Sequence, residues 1–213
     1  MITVIANLKG GSGKSTVTFN LAIWLMMKGE EVVAYDLDPQ QTLKDVSRVR
    51  IEDGTEPELE VNIVDGIGVG KKLENYSCHV LVDVGAGNMD AMKEAIAVAD
   101  RVLIPVQPSQ PDVWATQRFL NIVSDACGDN DHPELIAFIN RADTHHAVRE
   151  SDEAEEALGM LGKFTVLPNR LCQRTNFRRT FSEGLSIFEL SERSKSAKEF
   201  EQFAYALYPG LTN

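Results

Sequence analysis

The eight residues Lys9-Gly10-Gly11-Ser12-Gly13-Lys14-Ser15-Thr16 lie between an apolar run (Ile2, Val4, Ile5) and a long apolar segment, and they restrict the fold more than any other feature of the chain. Three glycines let the backbone curl tightly and turn successive N–H groups inward, which makes a cradle for phosphate. Lys14 adds a cation for the outer phosphates, and Ser15 offers a hydroxyl to Mg²⁺. The usual phosphate-loop pattern has glycine five residues before Gly13, where this chain has Leu8. A second lysine, Lys9, opens the loop instead.

Such a loop needs a strand before it and a helix after it, and the rest of the sequence repeats that alternation. Strands are expected at Ile2–Ala6, Glu31–Tyr35, Glu60–Val64, His79–Val84, Arg101–Val106, Leu135–Ile139 and Phe164–Leu167. Helices are expected at Lys14–Lys28, Gln41–Arg50, Gly70–Tyr76, Met89–Ala99, Asp112–Cys127, Val148–Leu161, Gln173–Glu183 and Glu189–Leu207. Gly29 suits a helix C-terminus, Pro39 stops the second strand, and Asn88 can cap the helix that follows it. The first helix is apolar nearly all round, as a helix buried on more than one side must be. Strands alternating with helices predict an α/β P-loop NTPase fold, with a mostly parallel central sheet covered by helices on both faces. The 213 residues suit a single domain, 1–213, and no linker, repeat or low-complexity tract divides them.

The most apolar segment, Phe19–Met27, is far too short to span a bilayer, and the first residues already read as a strand rather than a signal sequence. A soluble, cytoplasmic protein is expected. Three scattered cysteines, Cys78, Cys127 and Cys172, form no CxxC pair and argue against a disulfide framework, a zinc site or a cluster held by this chain. His145, His146, the tryptophans and the methionines show no pattern beyond packing or surface. The net charge of −11 opposes nucleic-acid binding, but its distribution is uneven. Glu150, Asp152, Glu153, Glu155 and Glu156 crowd together, whereas Ala157 to Ser182 has no acid and carries Lys163, Arg170, Arg174, Arg178 and Arg179. At four-residue spacing Arg170, Arg174 and Arg178 share one face of any helix, with Arg179 beside them. Two readings stand: a phosphate-binding stripe, or a face paired internally with Glu183 and the acidic helix.

Acids at strand ends supply the rest of a nucleotide site. Asp83 closes an all-apolar strand, where a carboxylate holds Mg²⁺ through water, or simply turns the chain. Asp36 and Asp38 close the strand after the loop helix. A carboxylate there orients an attacking water near a γ-phosphate, and Asp-Pro is also ordinary turn chemistry. Lys9 is redundant within one subunit because Lys14 already serves the phosphates. It is either an exposed lysine at a loop edge or a group that reaches a partner's nucleotide.

The run Lys9 to Thr16 resembles the deviant Walker A motif of the ParA/MinD family of ATPases. Asp36-Leu37-Asp38-Pro39-Gln40 is similar to that family's switch I, and Val80 to Gly85 to its Walker B strand and switch II. The resemblance extends through Pro105–Asp112 and the Glu183-Gly184 turn. It implies ATP and Mg²⁺ as cofactors and a homodimer when ATP is bound. Lys9 then crosses to the partner's phosphates, Lys14 binds the β- and γ-phosphates, Ser15 coordinates Mg²⁺ with Asp83 behind it, and Asp38 positions the hydrolytic water. Asp36 joins the metal's acidic surroundings, Asn140 contacts adenine, and Pro168 walls the base. No basic residue follows Lys198, so the membrane helix of the MinD branch is not expected, and the cysteines do not suit the nitrogenase-iron-protein branch. What remains is similar to the small ParA type. That type implies slow ATP hydrolysis stimulated by a ParB-like or adaptor protein, and sequence-independent DNA binding, here through Arg170, Arg174, Arg178 and Arg179. It also implies a nucleoid-associated location and a role in positioning a plasmid, a chromosome region or a large protein cargo. The alternatives are a dethiobiotin-synthetase-like ligase and an ATP-regulated interaction protein that binds no DNA.

Overall fold

The computed structural model describes all residues except 65–67, 130–131, 146–148 and 212–213. Its seven strands are β1 (Ile2–Ala6), β2 (Val32–Asp36), β3 (Val61–Ile63), β4 (His79–Val84), β5 (Arg101–Val106), β6 (Glu134–Ala142) and β7 (Thr165–Cys172). They form one sheet in the order β3-β2-β4-β1-β5-β6-β7, and every pairing is parallel. The order doubles back around β1, so the P-loop leaves the middle of the sheet at its carboxyl edge, where open α/β sheets bind ligands.

Side chains alternate between two cores. Ile5 joins Phe19, Trp24, Leu43, Phe188 and Phe200 on one face. There the sheet is covered by α1 (Lys14–Met27), α2 (Thr42–Glu52), α8 (Ile187–Leu190) and α9 (Lys195–Leu207). Val4 and Ala6 point the other way, to Val69, Met92, Phe119 and Leu158. These belong to α3 (Val69–Leu73), α4 (Met89–Ala97), α5 (Gln110–Cys127) and α6 (Glu150–Leu161). Burial on both faces explains why the central strands read as unbroken apolar runs. The expected architecture is therefore present, with its helices on both faces.

Several boundaries differ from expectation, and the larger differences have local reasons. The last helix, expected from Glu189 to Leu207, is two helices. Ser186 and Glu189 form a capping box that starts α8, the extended Ser191 ends it, and the Ser194 hydroxyl accepts the Ala197 N–H to start α9. The strand expected to end at Leu167 continues to Cys172, because β7 is an edge strand whose irregular register accommodates Pro168. Helix α7 (Thr175–Ser182) consequently starts later than Gln173. Ser109 caps α5 two residues ahead of the expected start. His146 and Val148 lie outside the described residues.

The turn after α7 is anchored by a buried cation. Arg50 is fully buried at the end of α2 and forms a two-pronged pair with Glu189, at 2.8 and 2.9 Å. Two further N–H groups reach the Pro57 carbonyl at 2.7 Å and the Gly184 carbonyl at 3.0 Å. Gly184 has a φ of +67°, and a Cβ there would lie 2.6 Å from the Arg50 backbone nitrogen. Gly184→Ala therefore combines left-handed strain with backbone overlap. It should destabilise the fold by about 2–4 kcal/mol, read as a lower urea midpoint at unchanged slope. A midpoint equal to wild type would show that the α2–α8 seam is looser than described.

Candidate nucleotide site

Gly11 and Gly13 take φ values of +75° and +91°, so the curl that the glycines permit is formed. Gly13 caps α1 without a side-chain hydrogen bond, and no acid occupies the helix's first turn. The first N–H groups of α1 and the positive end of its dipole therefore face the loop's hollow, where an anion is stabilised. Gly13 is also fixed by space: a Cβ there would lie 2.4 Å from the Asn140 amide nitrogen. That amide donates to the Ser12 carbonyl at 2.7 Å, so buried Asn140, at the end of β6, braces the loop. The sequence assigned Asn140 to adenine and held no signal for this brace, which joins residues 128 apart.

Lys14 is nearly buried, and its ammonium donates to the Lys9 carbonyl at 3.3 Å. The Lys9 N–H in turn donates to the Asn7 side-chain oxygen at 3.3 Å. The Lys9 ammonium has no hydrogen-bond or ion-pair partner among the described residues.

The acids meet on adjacent strands, with Asp36 in register beside Asp83 and Asp83 beside Ile5. Asp36 is buried, and its two oxygens accept the N–H groups of Asp38 and Lys44, each at 3.0 Å. Its first structural duty is to close the turn and begin α2. Asp38 accepts the Gln40 N–H at 3.0 Å and lies against Gly85, where a Cβ would sit 2.0 Å from its Oδ2. Asn88 donates to the Leu37 carbonyl at 3.2 Å and ties the two acidic turns together. Gly85 is thus a site residue by virtue of its missing side chain.

Asp83 is fully buried, and neither carboxylate oxygen has a hydrogen-bond partner of good geometry. Burial, aided by the Asp36 and Asp38 charges, pushes its pKa up to about 7 against the lowering influence of the Ser15 hydroxyl and Lys14. Among the described residues no group of three or more His, Cys, Asp and Glu side chains forms a metal cage. An orphaned carboxylate facing a hydroxyl, without a cage, fits Mg²⁺, which keeps waters and takes most of its remaining ligands from phosphate. Ser15 and Asp83 are the residues that fit the ion.

Beside the loop is a cavity of about 270 Å³, lined by Gly13, Val17, Asn140, Leu171, Phe177 and their neighbours. Asn140 lines this cavity. Pro168 does not; it is exposed within β7, and the segment Leu171–Arg174 forms the wall expected of it. The arginine stripe is likewise corrected. Arg170 is on β7, Arg174 precedes α7, and only Arg178 and Arg179 are helical, so the four do not form one helical row. Arg170 is paired with Asp152 and Glu155 at 2.6 and 2.5 Å, Arg174 with Glu199, and Arg179 with Glu183 at 3.3 Å. Arg178 is exposed and has no such partner among the described residues.

Residues 3–187 match the CobQ/CobB/MinD/ParA nucleotide binding domain. The chain belongs to this family. It is 29% identical over 199 residues to the maintenance of carboxysome distribution protein A of Halothiobacillus neapolitanus, covering 92% of this chain and 90% of that one. It is 24% identical to the protein ParA of Rhizobium radiobacter, across 99% and 97% of the two chains. The structure of a Cyanothece McdA–ATP complex superposes with a TM-score of 0.77 at 21% identity, covering 100% of this chain and 97% of that one. The protein thus carries a P-loop nucleotide-binding domain of the ParA/MinD kind. Among its described residues no helix is long and apolar enough to cross a membrane.

The raised pKa of Asp83 has a sign that can be checked. The folded state holds this proton more tightly than the unfolded chain, so the group favours folding below about pH 4 and loses that contribution as pH rises towards 7. In the absence of nucleotide, Asp83→Asn should gain stability relative to wild type across that interval, by on the order of 4 kcal/mol at pH 8. Mg²⁺ and ATP should then stabilise wild type more than the variant. Denaturant titrations at pH 4, 6 and 8 measure the difference, and a difference independent of pH would refute the assignment.

Proposed function

We propose that this protein is an ATP-driven positioning switch, in which two copies close around two nucleotides and the closed pair holds DNA without regard to sequence. The observation that carries the reading is Lys9: its backbone is pinned beside the loop, yet its ammonium has no partner among the described residues. A second ammonium so close to Lys14 needs another anion, and a phosphate bound by the facing subunit supplies one. Lys14, Ser15 and the loop N–H groups hold the phosphates, while Ser15 and Asp83 face Mg²⁺, which offsets phosphate charge when bound. Asp38, held over Gly85 next to Asp83, orients the attacking water. Asn140 and the cavity wall from Leu171 to Arg174 take the base. The DNA face keeps Arg178, a cation without an ion-pair partner among the described residues, and Arg179 as a weakly held one, since its pair with Glu183 is exposed. Arg170 and Arg174 join it only by exchanging carboxylates for phosphates. A ParB-like or adaptor protein accelerates turnover. The near full-length likeness to a carboxysome-distribution protein and to a ParA supports a large cargo positioned over the nucleoid in the cytoplasm.

The test is a DNA mobility shift with ATP or ADP, alongside sedimentation. Wild type should dimerise and shift DNA with ATP alone. Lys9→Ala should still bind nucleotide and do neither, and Arg178→Ala with Arg179→Ala should dimerise but bind DNA at least tenfold more weakly. Equal DNA binding with ADP and ATP, or a Lys9→Ala protein that behaves as wild type, would overturn the switch.

A further inference from the structure

Asn7 is fully buried at the point where β1 ends and the loop begins. Its amide donates to the Pro105 carbonyl on β5 at 2.8 Å, and its oxygen accepts the Lys9 N–H. The β1–β5 pairing runs from Thr3↔Arg101 to Ile5↔Leu103. Beyond it the Asn7 side chain takes over from the ladder and satisfies the Pro105 carbonyl. The same side chain grips the residue two positions ahead.

We propose that Asn7 is the positioning residue for Lys9: it fixes the root of the lysine to β5 so that the ammonium projects out of the subunit. Both backbone polar groups of Lys9 are held, the N–H by Asn7 and the carbonyl by the Lys14 ammonium. Only the tip of Lys9 has no partner among the described residues. The two holds are not equivalent. Lys14 is the loop's phosphate cation, and a phosphate that draws its ammonium away takes it from the Lys9 carbonyl. Asn7 binds no phosphate and keeps its grip when nucleotide arrives. It therefore matters most in the state where Lys9 has to reach a partner, and little for nucleotide binding by one subunit. A shorter side chain frees the Lys9 backbone, and a long flexible lysine on an unfixed root spends entropy to find one geometry. Asn140 braces the same loop from the opposite side through the Ser12 carbonyl and lines the cavity beside it, so its loss disturbs nucleotide binding itself.

This inference rests on the reading of Lys9 as a group that crosses between subunits, and the experiment separates the two. ADP affinity and dimerisation driven by a non-hydrolysable ATP analogue are measured for wild type, Lys9→Ala, Asn7→Ala, the double variant and Asn140→Ala, with Asn7→Ser as a milder substitution should alanine prevent folding. Asn7→Ala or Asn7→Ser should bind ADP within about twofold of wild type and dimerise at least tenfold more weakly. Combined with Lys9→Ala it should add nothing, as expected of two residues acting through one contact. Asn140→Ala should instead lose ADP affinity. Asn7 effects that add fully to those of Lys9→Ala, or that fall on ADP affinity as those of Asn140→Ala do, would reduce Asn7 to a structural residue and overturn the inference. If Lys9→Ala itself dimerises normally, the switch reading fails first.

Discussion

Opposite charges held close together at the carboxyl edge of the sheet, without adequate partners, are the constraint on which the rest of the structure depends. The Asp83 carboxylate is fully buried with no hydrogen bond of good geometry, and the nearly buried Lys14 ammonium has a 3.3 Å contact with a carbonyl. Each uncompensated buried charge costs several kcal/mol, comparable to the whole net stability of a domain. The two apolar faces of the sheet and the satisfied Arg50–Glu189 pair offset that cost elsewhere. Phosphate and a divalent cation are groups whose charges would relieve it where it arises. Binding energy and structural strain are therefore located in the same few residues.

The sequence made the fold class, the P-loop, the paired acids and Lys9 readable because each depends on local chemistry. Glycine tolerates positive φ wherever it stands, and an apolar strand ending in an acid carries its meaning within six residues. The long-range contacts were not readable. Nothing in the neighbourhood of Asn140 says that its amide meets the Ser12 carbonyl, or that Gly85 is bare because Asp38 occupies the space beside it. The arginine stripe failed for a related reason. Four-residue spacing implies a common face only if the backbone is helical, and the edge strand β7 keeps Arg170 extended, two carboxylates of α6 holding it there. The break between α8 and α9 was missed because core spacing from Phe200 onward outweighed two serine caps.

Small amides and glycines, not charged groups, do most of the positioning. Asn140, Asn7 and Asn88 each carry a hydrogen bond from one strand end or turn to another, while Gly13 and Gly85 leave space for Asn140 and Asp38. A neutral amide suits this work at a site where charge is already abundant. It can donate and accept at once, and it leaves the local field to the groups that meet the ligand.

Helix α2 joins this edge to the turn that follows α7. Its first turn hangs from Asp36 through the Lys44 N–H, and its last turn holds Arg50 against Gly184 and Glu189. An 11-residue helix pinned at both ends moves as one body, because its own hydrogen-bond ladder resists bending. The 36–38 turn bears the carboxylate assigned to water, and Gly184 closes the turn that follows the helix bearing Arg178. The acidic 36–38 turn and the turn at Gly184 thus share a mechanical element made of ordinary parts: a buried turn acid, a short helix, and a buried guanidinium that makes four hydrogen bonds.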